Sequence, residues 1–442
     1  MTSKIRNALI TKDSKMTPQA DKIYLDVQIT NLNASTVEPS AIYYNQNRQN
    51  PYLQNPSEYY LSIVRFYLST QTLPVFIPTI QPNQSNPNLT TYSVSLQIKM
   101  PGGAYSTNLY TAQQYIIWSP QYSAEPVPIP PSQSSNGLQV DAKYYYAFNL
   151  EYFILLILEA YSKCYATLIG NTNVAGSTYA VNGVFSAGAM SAGDVAYFSS
   201  LNNSAVPPVP CTAPIFTFDT QNNIAVMYAQ TVYYNNVVGN NPTLLNANAI
   251  QVYMNTSLFN LFSSFPAKSL GVSATFGCNY RLAIADYTGS NNIFIPTTLT
   301  PAQGAYLCTT VNQEYSTIQS WSPIDSIAFV SNTIPIVSNL LSAPLVLNNN
   351  KQVISDNGVN ANFLQIITDL VSTDNNYQPY LLYEPSAQYR LIDMYGDRPL
   401  TNLDISVFWK NKLGNFIPIT LPSGGSCDIK FLFTKKGSQE KF

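Results

Sequence analysis

Histidine is absent from all 442 residues of the chain. Its absence removes the commonest general base and the commonest metal ligand, and it excludes Ser-His-Asp and Cys-His mechanisms. A structural zinc site would then need four cysteine ligands. No CxxC pair occurs among the five cysteines, which are Cys164, Cys211, Cys278, Cys308 and Cys427. We therefore expect no metal and no cofactor, and we interpret the cysteines as small buried residues in a reducing compartment.

Charged residues are also scarce. They make up 10% of the chain, against about 25% in an ordinary soluble domain. The net charge of −2 gives no reason to expect nucleic-acid binding by the bulk of the protein. The 33 tyrosines favour a neutral surface that is covered by neighbouring subunits, because Tyr is enriched at interfaces. AT-rich coding is the alternative explanation for the excess of Asn.

Long apolar runs are missing as well. The N-terminal sequence MTSKIRNALITKDSK has no apolar core of a signal peptide. The most apolar run, residues 152–158, is bounded by Glu151 and Glu159. It is too short to cross a bilayer, so we expect no transmembrane segment.

The C-terminal part of the chain has the period of β-strands. In residues 403–433, Leu403, Ile405 and Val407 alternate with polar residues, and two turn segments rich in Gly, Asn and Pro follow. Period two bounded by turn residues predicts three strands. We expect these strands to complete a sandwich by pairing with strands from the beginning of the chain.

Helical patterns are confined to the middle of the chain and to one later segment. A helix is predicted over residues 150–168, with Asn149 as its cap and Gly170 as its end. Its apolar residues surround it almost completely, which favours burial on more than one side. Two shorter helices are predicted after Asn255 and after Asn362.

Strands at both ends with helices between them predict an all-β fold, a sandwich with insertions. We place a mobile basic arm at residues 1–22 and the sandwich at residues 23–100 plus 311–442. The insertion domain is then residues 101–310.

Paired carboxylates could still hydrolyse glycosides. Glu151 and Glu159 lie on roughly the same side of the predicted helix. The simpler interpretation is that they form the polar edge of a buried helix and have no catalytic role. We assign turn and surface roles to Asp393, Asp397 and Asp404. The sequence thus favours a protein that is not an enzyme.

Three stretches resemble a known family. They are MNTSLFNLFSSFPA (residues 254–267), SPIDSIAFVSNTIPIV (322–337) and YRLIDMYGDRPLTNLDISVFWKNKLGNFIPITLPSGGSCDIKFLF (389–433). All three resemble minor capsid (penton) proteins of Sputnik-like virophages and related small icosahedral double-stranded DNA viruses. In such viruses the penton is a single jelly roll that forms a homopentamer at each vertex, whereas the major capsid protein is a double jelly roll that forms trimers. The C-terminal β-unit occurs once here, which favours the penton. The resemblance thus implies a single jelly-roll sandwich at residues 23–100 plus 311–442, with residues 101–310 as a large mixed β/α insertion (outer) domain.

The resemblance implies a non-enzymatic protein of the virion capsid, assembled in the host cytoplasm and bordered by major capsid trimers. The insertion would reach a host or carrier-virus surface. Two alternatives remain open: a major capsid (hexon) protein, and a β-sandwich attachment protein whose Trp118, Trp321 and Trp409 stack on glycans. We expect Trp409 to lie in the core instead.

Basic side chains gather near both ends of the sequence. The simplest interpretation is that these basic residues belong to solvated tails. The functional interpretation is contact with packaged DNA at the capsid interior or with neighbouring subunits. The candidate residues are Lys4, Arg6, Lys12, Lys15, Lys435 and Lys436.

Overall fold

The computed structural model of the chain divides into two compact units. Unit 1 is Met1–Leu73 with Ile324–Phe442, and unit 2 is Pro74–Pro323. The structure describes residues 20–32, 40–121, 125–130, 142–170, 177–185, 190–203, 209–234, 249–271, 276–284, 292–296, 305–336, 345–347, 353–355, 365–370, 380–383, 391–412 and 414–437. The boundaries that we placed after residues 100 and 310 therefore both lie inside unit 2.

Most of the regular structure consists of β-strands. In chain order they are β1 Lys22–Thr30, β2 Ser40–Ala41, β3 Tyr43–Asn47, β4 Tyr59–Ser69, β5 Leu89–Lys99, β6 Leu109–Ile117, β7 Ser177–Val181, β8 Val184–Phe185, β9 Asn202–Asn203, β10 Val209–Pro210, β11 Ile215–Asp219, β12 Ile224–Gln230, β13 Gln251–Met254, β14 Ala267–Ser269, β15 Tyr280–Leu282, β16 Asn292–Pro296, β17 Ala305–Asn312, β18 Ile324–Val330, β19 Leu345–Leu347, β20 Val353–Ser355, β21 Ile366–Leu370, β22 Tyr380–Tyr383, β23 Ile392–Asp393, β24 Asn402–Asn411, β25 Phe416–Pro418, β26 Thr420–Leu421 and β27 Ser426–Lys435. The α-helices are α1 Leu150–Gly170, α2 Ala192–Ser200, α3 Thr256–Leu261 and α4 Ile318–Trp321.

Eight strands of unit 1 form the two sheets of a jelly roll. One sheet has the order β1-β27-β4-β22, and in the other β3 and β18 flank β24, with β21 beyond β18. When the eight strands are numbered along the chain, the orders are 1-8-3-6 and 2-7-4-5, the jelly-roll arrangement. The predicted single jelly roll is confirmed. The chain of unit 2 is inserted between its third and fourth strands, β4 and β18.

The C-terminal strands complete both sheets of unit 1, as predicted. β27 lies between β1 and β4, and β24 lies between β3 and β18. Their inward side chains, such as Phe431 on β27 and Val407 on β24, are buried between the sheets. The alternation of the C-terminal sequence thus reflects one face turned to the core of the sandwich.

β4 contains a bulge that changes which residues face the core. Leu61 and Ile63 are buried, and so are Phe66 and Leu68, so the inward period moves from odd to even residue numbers. The pairing with β27 shifts register at the same place. One extra residue therefore turns Arg65 to the outer face of the sheet, although an unbroken period of two would have aimed it into the core.

Unit 2 is built on two sheets. The larger has the order β14-β15-β13-β5-β6-β7-β8, and the smaller has the order β11-β12-β17-β16. Helix α1 contacts β5 and β6 of the larger sheet and β11 of the smaller one. Its Phe153, Ile157 and Tyr161 are fully buried, which confirms the predicted burial on more than one side.

The ends of α1 match the prediction. Its length, however, contradicts the expectation that no apolar segment is long enough to cross a bilayer. The Asn149 side chain accepts a hydrogen bond from the Glu151 amide at 2.8 Å, and the helix ends at Gly170. By length and composition its segment Leu150–Ile169 could cross a membrane, with 20 residues and a mean hydropathy of 1.4, and half of it is buried. The apolar run 152–158 is therefore only the most apolar part of a longer helix. The contacts of α1 with two sheets account for its apolar character.

The helix predicted after Asn362 is wrong. Residues 366–370 form strand β21, which pairs with β18, while Asn362 lies outside the described residues. The segment begins with two isoleucines and a threonine, which are β-branched and fit the edge of a sheet. Pairing with β18 therefore outweighs the helix preference that the apolar spacing of this segment indicates. The predicted helix after Asn255 is confirmed as α3, with a 3.0 Å hydrogen bond from the Leu258 amide to Asn255.

Replacement of Phe66 tests the contact between the two sheets of the jelly roll. Its ring meets the ring of Phe329 on β18 edge-on, at 4.9 Å between centroids. We expect Phe66→Ala to lower the free energy of unfolding of unit 1 by about 3–5 kcal/mol, because it leaves a cavity in the core. Hydrogen exchange of β4 and β18, followed by mass spectrometry, measures the loss. Gln28→Ala, at an exposed position on β1, is the control, and an equal effect of both changes would contradict this account.

Candidate assembly surface

The outer face of the sheet β1-β27-β4-β22 carries a cluster of charges. Arg65 lies 3.3 Å from Asp428 and 3.8 Å from Asp26, and Lys430 lies 3.5 Å from Asp26. The register places Asp26, Lys430 and Arg65 side by side on three adjacent strands. These side chains are partly exposed, so each ion pair contributes only about 0–1 kcal/mol. The cluster therefore contributes little to the stability of the fold.

Aromatic and aliphatic side chains flank the charge cluster. On one side the Tyr24 ring is 56% exposed and lies 5.5 Å from the Lys430 ammonium. On the other side Tyr67 and Tyr380 stack at 5.8 Å, beside Leu382, which is 52% exposed. Tyr and Arg are the residue types that most often anchor protein interfaces. The outer face, as the term is used below, consists of Tyr24, Asp26, Arg65, Tyr67, Tyr380, Leu382, Asp428 and Lys430.

Two of the predicted basic residues have partners within unit 1. Lys435 lies 3.3 Å from Glu58, whose carboxylate raises the pKa of this lysine. Lys436 lies 3.0 Å from Asp393 and donates a hydrogen bond to the Met394 carbonyl at 3.2 Å. They are therefore parts of the folded jelly roll and not of a solvated tail. The other four, Lys4, Arg6, Lys12 and Lys15, lie outside the described residues.

The first described residues, Ala20 and Asp21, lie at the same end of the jelly roll as Lys435. The Lys435 amide donates to the Asp21 carbonyl at 2.8 Å, and the Tyr59 hydroxyl donates to the Ala20 carbonyl at 3.1 Å. β4 starts at Tyr59 and has 11 residues, so its far end is about 33 Å away. Shortly after that far end, Thr72 donates a hydrogen bond to the Thr420 carbonyl.

Asp404 is a buried carboxylate, which corrects the surface role assigned to it. It lies on β24 and is 4% exposed. Its Oδ1 accepts hydrogen bonds from the hydroxyls of Ser331 and Thr333 at 2.8 and 2.7 Å, and from the amides of Asn332 and Thr333, each at 2.9 Å. The Thr333 hydroxyl also accepts from the Asp404 amide at 2.9 Å. One side chain thus fixes the loop that follows β18.

The hydrogen bonds of Asp404 decide its charge state. Burial by itself raises the pKa of this carboxyl, but the donors from residues 331–333 outweigh it, and the pKa is lowered. Asp194 in unit 2 has a similar environment. It is buried and accepts hydrogen bonds from the Ser106 and Tyr110 hydroxyls at 2.6 and 2.7 Å, and its pKa is lowered as well. Each unit therefore contains a buried, ionised carboxylate that holds a loop.

Asp404→Asn should lower the stability of unit 1 by about 1–3 kcal/mol. A neutral amide oxygen accepts hydrogen bonds more weakly than a carboxylate, and the new NH2 group cannot accept the hydrogen bond that Asn332 Nδ2 donates to Oδ2 at 3.2 Å. The folded-state pKa of Asp404 lies below its unfolded value of about 3.9. Its stabilisation is therefore complete above the unfolded pKa and is lost as the pH falls through the folded pKa. Urea unfolding at several pH values should show a constant deficit down to about pH 4 that closes below it.

Asp428→Asn provides the control for this experiment, because Asp428 is a partly exposed carboxylate on β27, in the other sheet of the same jelly roll. Its replacement should change stability by about 0.5 kcal/mol or less. A deficit of Asp404→Asn that stays the same in acid, or no deficit at all, would contradict the assigned charge state.

The residues considered for catalysis or glycan binding do not form a site. Glu151 and Glu159 are exposed on α1, and Glu159 pairs with Lys163 at 2.6 Å. Trp118, Trp321 and Trp409 are all buried, so none offers a face to a sugar. Trp409 lies in the core of the jelly roll, as predicted. In the described part of the chain, no group of three or more acidic or cysteine side chains could hold a metal ion.

The cysteines are buried, and their thiols have low reactivity. All five are free thiols inside the protein. Burial raises the pKa of the Cys211, Cys278 and Cys427 thiols to about 12 and that of Cys308 to about 11. A thiol with so high a pKa is a poor nucleophile at neutral pH. The expectation of small buried residues is confirmed.

The comparisons with known proteins agree with the predicted resemblance. The sequence model of the family "Sputnik minor capsid protein V18/19" matches residues 23–435. Structural protein V19 of Sputnik virophage is 27% identical over 225 residues, which cover 50% of this chain and 94% of that protein. The uncharacterized protein V18 of the same virophage is 33% identical over 149 residues, covering 33% of this chain and 84% of that protein.

Solved structures extend the likeness to nearly the whole chain. A chain in the 3.5 Å cryo-EM structure of the Sputnik virophage has a TM-score of 0.68 and 26% identity, over 96% of this chain and 100% of that chain. The crystal structure of the mavirus penton protein has a TM-score of 0.51 and 15% identity, over 94% of this chain and 100% of that chain. At 15% identity, the likeness to the mavirus penton protein shows a shared fold only.

Proposed function

The chain belongs to the Sputnik minor capsid protein V18/19 family, and on this basis we propose that it forms the homopentameric vertex capsomer, the penton, of an icosahedral virion. It is a structural protein of the virion capsid. The observation that carries the proposal is the single jelly roll, whose eight strands occur once in the described part of the chain. A major capsid protein with two jelly rolls would need a second set.

A closed ring of five copies requires a heterologous interface, in which one surface of each copy meets a different surface of the next. The outer face supplies one of the two surfaces. Its exposed Tyr24, Tyr380 and Leu382 provide apolar contact area. Its cluster around Arg65 provides charges of both signs that fix orientation. No catalytic step is needed for this role.

The contact of Asp21 with Lys435 at one end of the jelly roll supports an orientation within the shell. We place the end of the jelly roll near Ala20 and Lys435 at the capsid interior, where residues 1–19 can reach neighbouring subunits or packaged DNA. Unit 2 would meet major capsid trimers or a host or carrier-virus surface. Assembly takes place in the host cytoplasm, which suits a protein whose five cysteines are free thiols.

The mass of the purified full chain tests the pentamer. Light scattering coupled to size exclusion should show a species near five times 48.9 kDa. A trimer would contradict the penton and favour a major capsid role. A monomer that persists at high protein concentration and in the presence of the major capsid protein would contradict the proposal.

Arg65→Glu tests whether the outer face takes part in the ring. The change places a third carboxylate beside Asp26 and Asp428, and we expect it to weaken association on the order of tenfold, equivalent to about 1.4 kcal/mol. Lys163→Glu on α1 changes charge in the same way at a similarly exposed ion pair in unit 2. If both variants associate like the unchanged protein, the outer face is not part of the interface.

A further inference from the structure

Residues 125–130 of unit 2, EPVPIP, form an extended and exposed segment, which is called the proline segment below. Proline holds its φ near about −65°, and a residue that precedes proline is confined to extended conformations. Since every second residue is a proline, the whole segment is extended before it meets any partner. Its aliphatic side chains face solvent, because Val127 is 66% exposed and Ile129 is 86% exposed.

The backbone of the proline segment can pair on one side only. Within residues 126–130, only Val127 and Ile129 have an amide hydrogen, because proline has none. Within the part of the chain that the structure describes, neither of these amides donates a hydrogen bond. In an extended strand the backbone groups of residues i and i+2 point to the same side. Both amides therefore lie along one edge, as in an edge strand that accepts proline.

Strand β1 of the jelly roll offers an edge that such a strand can join. Among the described residues it pairs with β27 alone. The Lys435 amide donates to the Asp21 carbonyl, and the Asn31 amide donates to the Gly425 carbonyl. Since hydrogen-bonded pairs in an antiparallel ladder recur at every second residue, the odd residues of β1 bond to β27. The backbone groups of its even residues point to the open side; these residues are Tyr24, Asp26 and Gln28.

The core of the sandwich is incompletely covered beside this edge. The inward side chains of Ile23, Leu25 and Ile29 remain partly exposed, whereas those of Ile429 and Phe431 on β27 are fully buried. An edge strand with open backbone groups is a template for a further strand, and proteins commonly cover such edges. A suitable cover supplies backbone donors and apolar side chains together.

The proline segment has both properties. Residues that lie directly opposite each other in a ladder place their side chains on the same face of the sheet. When Val127 and Ile129 pair with the even residues of β1, their side chains lie on the outer face, beside the exposed ring of Tyr24. The proline rings then lie on the inner side, over the three partly exposed aliphatic side chains of β1.

A second copy of the chain is the partner that these two surfaces favour. The edge of β1 and the proline segment each lack a partner strand in the described part of their own chain. A closed ring joins two different surfaces of neighbouring copies, and these are two different surfaces of one chain with matching backbone groups. The edge of β1 is also continuous with the outer face through Tyr24 and Asp26.

We propose that the proline segment of one copy adds as a strand to the open edge of β1 in a second copy. This inference rests on the proposed function, since it requires copies side by side, and it names the second surface that the ring needs. Main-chain hydrogen bonds supply the affinity, as in β-strand addition. The prolines limit the conformational entropy lost on binding. They also leave the far side of the segment without donors, so that no further strand adds there.

Crosslinking between two differently substituted chains tests this contact. One chain carries Val127→Cys and the other Gln28→Cys, and the native thiols are buried, so a flexible bismaleimide reacts mainly at the new positions. We expect a covalent dimer of twice 48.9 kDa when the two chains are produced together, at least fivefold more than from either chain alone. Ser162→Cys, at an exposed position on α1 of the same unit, is the control in place of Val127→Cys and should give no such dimer with Gln28→Cys.

Removal of the two amides tests the hydrogen bonds themselves. The double change of Val127→Pro with Ile129→Pro deletes both donors and keeps the segment extended. The fold should persist, because neither amide donates a hydrogen bond within the described chain. We expect association, measured by light scattering, to weaken at least tenfold. The exchanged pair Val127→Ile with Ile129→Val keeps both amides and should associate like the unchanged protein.

Hydrogen exchange of α1 shows whether unit 2 is still folded, and only variants with unchanged exchange are compared. Equal association of the double proline variant and the exchanged pair would overturn the strand addition.

The crosslink and the mass together distinguish this inference from the pentamer itself. A pentameric mass without the covalent dimer would overturn the strand addition and leave the pentamer standing. A crosslink within one chain, seen in the doubly substituted protein without a change in mass, would overturn the second copy as the partner. A monomer without the dimer would overturn both proposals.

Discussion

The jelly roll depends on the pairing of β27 with β1 on one side and with β4 on the other. Without β27, the sheet β1-β27-β4-β22 would lose its second strand and β1 its described partner. The same strand contributes Asp428 and Lys430 to the outer face and Phe431 to the core. The position of β27 also brings Lys435 to Asp21, the residue that precedes β1. The core and the candidate surface are consequences of one long-range pairing.

The sequence predicted the parts of this fold that depend on local pattern. The alternation in residues 403–433 was enough for the C-terminal strands, and the caps at Asn149 and Asn255 were enough for two helices. The segment after Asn362 was misread because its apolar spacing suits a helix, and only the contact with β18 decides for a strand. The unit boundaries depend in the same way on pairing, since β5 belongs with β6 and β13 in unit 2 and not with the strands that precede it.

The candidate surface was harder to predict, because its residues come from strands that are distant in sequence. Asp26, Arg65 and Asp428 are brought together by the sheet alone. The one local signal was in β4, where Arg65 interrupts an apolar period that resumes one residue out of step; such a break indicates a bulge and an outward charge. Asp404 carried no such signal. Its donors lie some 70 residues earlier in the chain, so burial and ionisation could not be read from its neighbours on β24.

The insertion of unit 2 between β4 and β18 has a consequence for synthesis on the ribosome. Unit 2 is one continuous segment and can fold as soon as it has emerged. The first three strands of the jelly roll must wait for β27, which follows the end of β4 by more than 350 residues. At about 5–20 residues per second the delay is roughly 20–70 s. During that time β1 and β4 have no shared partner, and no complete subunit exists. Translation itself therefore sets the moment at which each copy becomes competent to join a shell.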